Sequence, residues 1–182
     1  NLDKLTNSKM KNNLLVKDSL VNLIAKIGEK ITIRRAKYFD NTGTNFSYVH
    51  NSLENNIGKV VSIVQLNKNK NKNLKELGVK LAMHIAAQAP IAINEQGINT
   101  EVLKKELEII KEELKNSGKK SEMIEKISKG KIKKFISDNT LLDQIWIMDT
   151  KKKVSQIIKE YSGGSEIKVL NFVRYKVGEG ID

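Results

Sequence analysis

Few side chains in this sequence stand where they could do chemistry. The 182 residues hold two histidines, His50 and His84, and no cysteine. A metal site gathers several His, Cys, Asp or Glu ligands, and these histidines lie far apart with no acidic cluster beside either, so no metal is expected. Disulfides and thiolate nucleophiles are excluded outright. No Ser or Lys stands beside an evident base, and no acid/base pair stands out. The closing Val177-Gly178-Glu179-Gly180-Ile181 lacks the spacing and the lysine of a phosphate loop. The sequence therefore predicts neither an enzyme nor a cofactor. A chain of this kind acts by touching another molecule, which turns attention to groups that could anchor a partner. Trp146, Ile147 and Met148 place three large apolar side chains in one short stretch. They are core residues if buried and strong anchors if exposed, because aromatic and Met side chains dominate interface energetics. Ile27-Gly28 joins an apolar residue to one that lets backbones approach closely.

The elements that must carry these residues can be traced along the chain. Val16, Leu20, Leu23 and Ile24 fall at helical spacing, and Gly28 stops the helix as a left-handed cap would. Ile31 and Ile33 then alternate with Thr32 and Arg34 as in a strand, which Arg34 and Arg35 close. Phe46, Tyr48 and His50 share one face of a second strand, and residues 57–66 form a β-branched third. With turns at 41–44 and 51–56, these three predict a small antiparallel meander. Residues 67–73 alternate Asn and Lys, which reads as a solvated linker; a nucleic-acid finger would interleave aromatics to stack bases. Leu77, Leu81 and Ile85 predict a helix over 74–87, ahead of the only proline, Pro90. His84 falls on or beside that stripe, where a satisfied core histidine is expected. The chain is expected to divide near here into subdomains 1–92 and 93–182.

In the second half, Thr100 is the expected N-cap of a helix with Leu103, Leu107, Ile110 and Leu114 on one seam. Asn116-Ser117-Gly118 breaks it, and a return helix over 121–136 offers Ile124, Ile127 and Phe135 to the first. The result is an antiparallel hairpin at about 101–136, with arms of roughly 25 Å at the helical rise. Residues 144–148 read as a short exposed or half-buried segment, and Thr150 as the cap of a helix running to Tyr161. Ser162-Gly163-Gly164-Ser165 is a turn. A long strand over 167–177 follows, with Ile167, Val169, Val173, Tyr175 and Val177 on one side. No internal repeat is evident.

Composition narrows the class. Hydrophobic residues make up 39% of the chain, a folded composition, and no apolar run nears the ~18 residues of a membrane span. The opening Asn1-Leu2-Asp3-Lys4-Leu5 is polar, without the apolar core of a signal peptide. The first residue is not Met, so a core fragment is expected. Absence of cysteine fits a reducing compartment. Lys and Arg number 33 against 21 Asp and Glu, a formal charge of +12. Such an excess would draw any polyanion or steer an acidic protein partner. Most of it is Lys scattered among Asn and Ile, however, as codon bias in an AT-rich genome produces, and the run 126–134 reads as the solvated face of the hairpin.

Three segments share a resemblance. They are Lys26-Ile27-Gly28-Glu29-Lys30-Ile31-Thr32-Ile33-Arg34-Arg35, Leu81-Ala82-Met83-His84-Ile85-Ala86-Ala87 and the closing Val177–Ile181 motif. Together with Asn116-Ser117-Gly118-Lys119 and Lys131-Ile132-Lys133-Lys134-Phe135, their order and spacing resemble the elongation factor Ts family. Its members are cytoplasmic guanine-nucleotide exchange factors for the translation GTPase elongation factor Tu. The resemblance implies an α+β fold: two subdomains, each with a small antiparallel sheet packed by helices, plus a projecting antiparallel helical hairpin, the family's coiled coil. It implies that Ile27 and Gly28 pack on the G domain of elongation factor Tu, that His50 lies at the same interface, and that Ile147 and Met148 meet the GTPase's third domain. The family's N-terminal helical module, its Thr-Asp-Phe segment and its last helix have no counterpart in these residues. A core that keeps part of the binding surface is therefore expected, with full exchange activity in doubt. The competing class is a basic RNA-binding or ribosome-associated α+β protein, which would show steep salt dependence. A homodimer through the hairpin is a third.

Overall fold

The computed structural model describes residues 2–180, so Asn1 and Ile181 of the closing motif lie outside the described residues. The chain divides at Asp40/Asn41 into two compact units. The first contains α1 (Leu2–Thr6) and α2 (Val16–Ile27). A tight turn links them: Asn13 has φ 64°, the Met10 N–H donates to Leu14 O at 2.8 Å, and the Val16 N–H donates to Ser8 O at 3.0 Å. Val16, Leu20 and Ile24 of the apolar stripe are half-buried, whereas Leu23 and Ile27, at its far end, are exposed. Gly28 ends α2 as expected, with φ 75° and its N–H donating to Ile24 O at 2.9 Å.

The strand expected at 31–34 does not form; the structure leaves 29–40 without regular structure. Alternation makes a segment competent for a ladder, but a strand exists only where another strand supplies partners. The sheet's third strand comes instead from the far end of the chain.

The second unit contains, in order, β1 (Gly43–Glu54), β2 (Ile57–Asn67), α3 (Leu74–Gln88), a 3-10 turn (Glu95–Gly97), α4 (Thr100–Asn116), α5 (Ser121–Asn139), β3 (Ile145–Trp146), β4 (Asp149–Lys153), α6 (Val154–Ser162) and β5 (Val169–Lys176). Strands β1, β2 and β5 form an antiparallel sheet in that order, with Tyr48 opposite Ser62 and Val64 opposite Phe172. Helix α3 packs on one face of this sheet. The buried Ser62 hydroxyl donates to Ala82 O at 2.6 Å, and Phe46 lies so close to Gly78 that a Cβ there would strike its ring. Val64, Leu66, Leu77, Leu81, Ile85, Leu141, Trp146 and Val154 fill the core between sheet, α3 and α6.

Three further expectations change. The 167–177 segment does not keep one face to the core: Ile167 and Val169 pack there at its start, and further along Phe172 does so while the Arg174 Nε–H donates to Ala86 O at 2.9 Å. An irregularity at Gln65/Leu66 shifts the pairing near Val169, and a side-chain period of two cannot survive such a shift unchanged. The Asn/Lys segment is a clamp and not a free linker. Asn67 Nδ2 donates to Glu166 O at 2.9 Å, Asn69 Nδ2 to Glu166 O at 3.1 Å and Asn71 Nδ2 to Tyr161 O at 2.6 Å, so every second residue pins the 161–168 loop. Thr150 lies in β4, and α6 starts at Val154, where the Lys153 N–H donates to Gln156 Oε1 at 2.7 Å.

The hairpin of α4 and α5 forms as expected, but Asn99 and not Thr100 is its N-cap, accepting from the Glu101 N–H at 2.9 Å. Ile110, Leu114 and Ile124 are buried between the arms, with Ile127 and Ile132 packed against them; Ile132 joins this cluster where Phe135 was expected. Among the described residues no helix is long and apolar enough to cross a membrane.

Candidate functional site

Of the expected contact residues, the structure gathers His50, Ile147 and Met148 around one cleft in the second unit. Tyr48 and His50 project from one face of β1, where Tyr48 Oη and His50 Nδ1 are 3.1 Å apart. Opposite them, β3 and β4 form a tight hairpin in which Trp146 pairs with Asp149, which places Ile147 and Met148 at its tip. The C-terminal part of α3 forms the floor. The cleft has a volume of about 290 Å³ and is lined by Tyr48, His50, Met83, Ala86, Ala87, Ile147 and Met148. Its walls are largely apolar and its mouth is open to solvent: Met148 is 46% exposed, Ile147 half-buried and His50 exposed.

The tip owes its position to what lies beneath it. Along 144–148 burial alternates: Gln144 and Trp146 are inside, Ile145 and Met148 outside. Trp146 is 3% exposed and stacks on the His84 ring, with centroids 5.1 Å apart and planes at 17°. Gln144 is the polar hub. Its Nε2 donates to Asp138 O at 2.8 Å, at the end of α5, and to Gln88 O at 3.2 Å, at the end of α3. Both amide protons are thereby spent on carbonyls, so Gln144 Oε1 can only accept, and His84 Nε2, 3.0 Å away, must carry the proton. The buried His84 Nδ1 has no hydrogen-bond partner among the described residues. Burial holds its pKa below the usual histidine value, and the Gln144 bond opposes this only in part. His84 is the expected core histidine, yet it touches the very segment that carries the tip.

Ile27 and Gly28 lie in the first unit. Ile27 is 46% exposed. A Cβ built on Gly28 would meet nothing within 4 Å, so glycine is required there by the left-handed backbone and not by crowding within the chain. Both residues stand free for contact. None of the four apolar or glycine positions is sealed inside the protein.

Tyr48, Met83, Ala86 and Ala87 were not expected in the cleft. Met83, Ala86 and Ala87 fall at i, i+3 and i+4 on α3, one helical face. That spacing was a usable signal, because two small residues on one face leave room for another element or a ligand side chain. Gln144 carried no comparable signal, since its role depends on Gln88 and His84, both distant in sequence.

Comparison with known proteins agrees with this geometry. The family model described as "Elongation factor TS" matches residues 1–179. Elongation factor Ts of Nitrobacter hamburgensis is 40% identical over 171 residues, covering 92% of this chain and 56% of that protein. Elongation factor Ts of Rickettsia akari is 36% identical over 187 residues, covering 100% of this chain and 60% of that protein. The chain thus spans somewhat over half the length of these relatives. A match running through nearly every element of the fold, with the Leu81–Ala87 helix and the 144–148 segment inside it, leaves one assignment: this chain belongs to the elongation factor Ts family.

Proposed function

We propose that this chain is the core of a guanine-nucleotide exchange factor that acts in the cytoplasm during translation elongation, by binding elongation factor Tu, without being an enzyme itself. The observation that carries the proposal is the open apolar cleft in which β1, α3 and the β3–β4 tip present His50, Ile147 and Met148 together. In this reading Ile27 and Gly28 hold the G domain with His50, while Ile147 and Met148 grip the third domain. The halves 1–92 and 93–182 supply these two attachments.

Such a factor need not touch the nucleotide. It must bind the empty GTPase better than the GDP-bound one. The coupling is reciprocal: the factor by which GDP weakens its binding equals the factor by which it weakens GDP binding. Each tenfold of coupling requires about 1.4 kcal/mol of contacts that differ between the two states. Apolar anchors at an open cleft can supply several such increments.

The test is release of fluorescent GDP from elongation factor Tu with and without this chain, together with calorimetry against the nucleotide-free GTPase. Binding that weakens on addition of GDP is expected. No binding to the nucleotide-free form would defeat the proposal. Sedimentation at several concentrations separates a monomer from a hairpin-mediated homodimer.

A further inference from the structure

We propose that His84 is a positioning residue: through Gln144 and Trp146 it sets the Ile147–Met148 tip for contact. The proposal rests on the partner-binding reading above. His84 itself cannot touch a partner, since it is fully buried. Its influence runs through two contacts already described, the ring stack on Trp146 and the Nε2–H donated to Gln144 Oε1. These residues flank and precede the tip in sequence, so fixing them fixes the two residues that follow.

The arrangement is stiff for a physical reason. Gln144 cannot rotate about its amide without losing donors to both Asp138 O and Gln88 O. Turned around, it would also aim its NH₂ at the His84 N–H. One imidazole proton thereby locks the amide orientation, and the amide joins the ends of α3 and α5 to the start of β3. The lock is buried, where polar contacts are strong when satisfied and costly when half-satisfied. The stacked indole removes the remaining freedom of the segment. A hydrophobic residue at 84 could fill the same space but would leave Gln144 Oε1 without a donor. An unplaced tip must be ordered when a partner arrives, and that ordering is charged against affinity.

Trp146 is the only tryptophan in the chain, so its emission reports on this segment alone. The experiment compares His84→Phe, which keeps ring and volume but removes the donor, with His84→Gln, which returns an N–H near the Nε2 position. Acrylamide quenching of Trp146 in the free protein gives the first readout. His84→Phe should raise it severalfold while circular dichroism shows the fold retained, and His84→Gln should bring it part of the way back. Binding to nucleotide-free elongation factor Tu gives the second. His84→Phe should weaken it about tenfold in the parent, yet less than twofold in an Ile147→Ala/Met148→Ala background, because the effect passes through a tip already removed. Equal losses in both backgrounds would reduce His84 to a general core residue and overturn the proposal. Unchanged quenching in His84→Phe would overturn it as well. If the parent chain does not bind elongation factor Tu at all, the partner reading fails, while quenching in the free protein still decides whether His84 orders the tip.

Discussion

The end of α2 and the 144–148 segment are the two surfaces proposed to meet a partner, but they are built by opposite means. Ile27 and Gly28 stand at the end of an apolar helical stripe, and their placement follows from a rule that spans a few residues: a helix stops where a glycine can take a positive φ. Ile147 and Met148 stand in the two-residue turn between β3 and β4, whose own sequence says little. Their placement comes from Trp146 and Gln144 reaching down to the end of α5 at Asp138 and to His84 and Gln88, which lie far away along the chain. A locally built surface is insensitive to the core. A surface hung from the core fails when the core does.

The largest expected effect tests that dependence. Trp146→Ala removes a core aromatic that is 3% exposed and should cost about 3–5 kcal/mol of stability, measured by chemical denaturation. Ile27→Ala, at an exposed position, should change stability by less than ~0.5 kcal/mol. Similar costs at the two sites would erase the contrast. Next is Gly78→Ala. The new methyl strikes the Phe46 ring, and overpacking of this kind costs about 1–3 kcal/mol, more than the ~0.5–1 kcal/mol that alanine returns in helix propensity. Because Phe46 shares its strand face with Tyr48 and His50, this substitution should also weaken binding. A stabilised variant would show that β1 yields freely.

Met148→Ala separates binding from folding. The side chain is 46% exposed, so stability should move by no more than ~0.5 kcal/mol. Affinity for elongation factor Tu should fall about tenfold, close to 1.4 kcal/mol. Equal affinity in calorimetry would remove Met148 from the interface. Gly28→Ala should cost about 1 kcal/mol through its positive φ alone, and Gly28→Asn less, since asparagine tolerates that region. Binding lost in Gly28→Asn while the melting temperature holds would mean that a partner's backbone fills the space beside Gly28.

The same contrast explains what could be read from the sequence. Both helices of the hairpin, α3 and the Gly28 cap follow from patterns that repeat every few residues, and they stand where expected. The missing strand at 31–34, the change of core-facing side along 167–177 and the asparagine clamp all depend on pairing between distant segments. Alternation at 31–34 could not show that no ladder would reach it. Alternation at 167–177 could not show the shift at Gln65/Leu66. The Asn/Lys repeat at 67–73 looked solvated because its acceptors, the carbonyls of Tyr161 and Glu166, lie far along the chain. Of the site, Ile147 and Met148 stood out as large apolar side chains in one short stretch, His50 entered by family resemblance, and their meeting in one cleft required the fold.

The smallest effect is the most specific to the core-hung surface. His84 is neutral and buried in the folded chain, and its pKa there lies below the usual value of 6.5, chiefly because burial disfavours the charged ring. Once the protein unfolds, the ring titrates normally. Well above the usual value of 6.5 neither state binds the proton, and His84 adds no pH dependence. Below that, the unfolded chain takes up the proton first, so stability falls as pH drops, until the folded ring protonates as well and the loss levels off. His84→Gln, which does not titrate, should flatten this part of the profile. The loss should also be seen at Trp146, because the protonated ring would lie stacked against the indole with an added charge and, among the described residues, no acceptor for its Nδ1 proton. A parent chain whose stability is flat from pH 7 to 5, with unchanged Trp146 emission, would mean that His84 already reaches water, and that the tip is held more loosely than the geometry indicates.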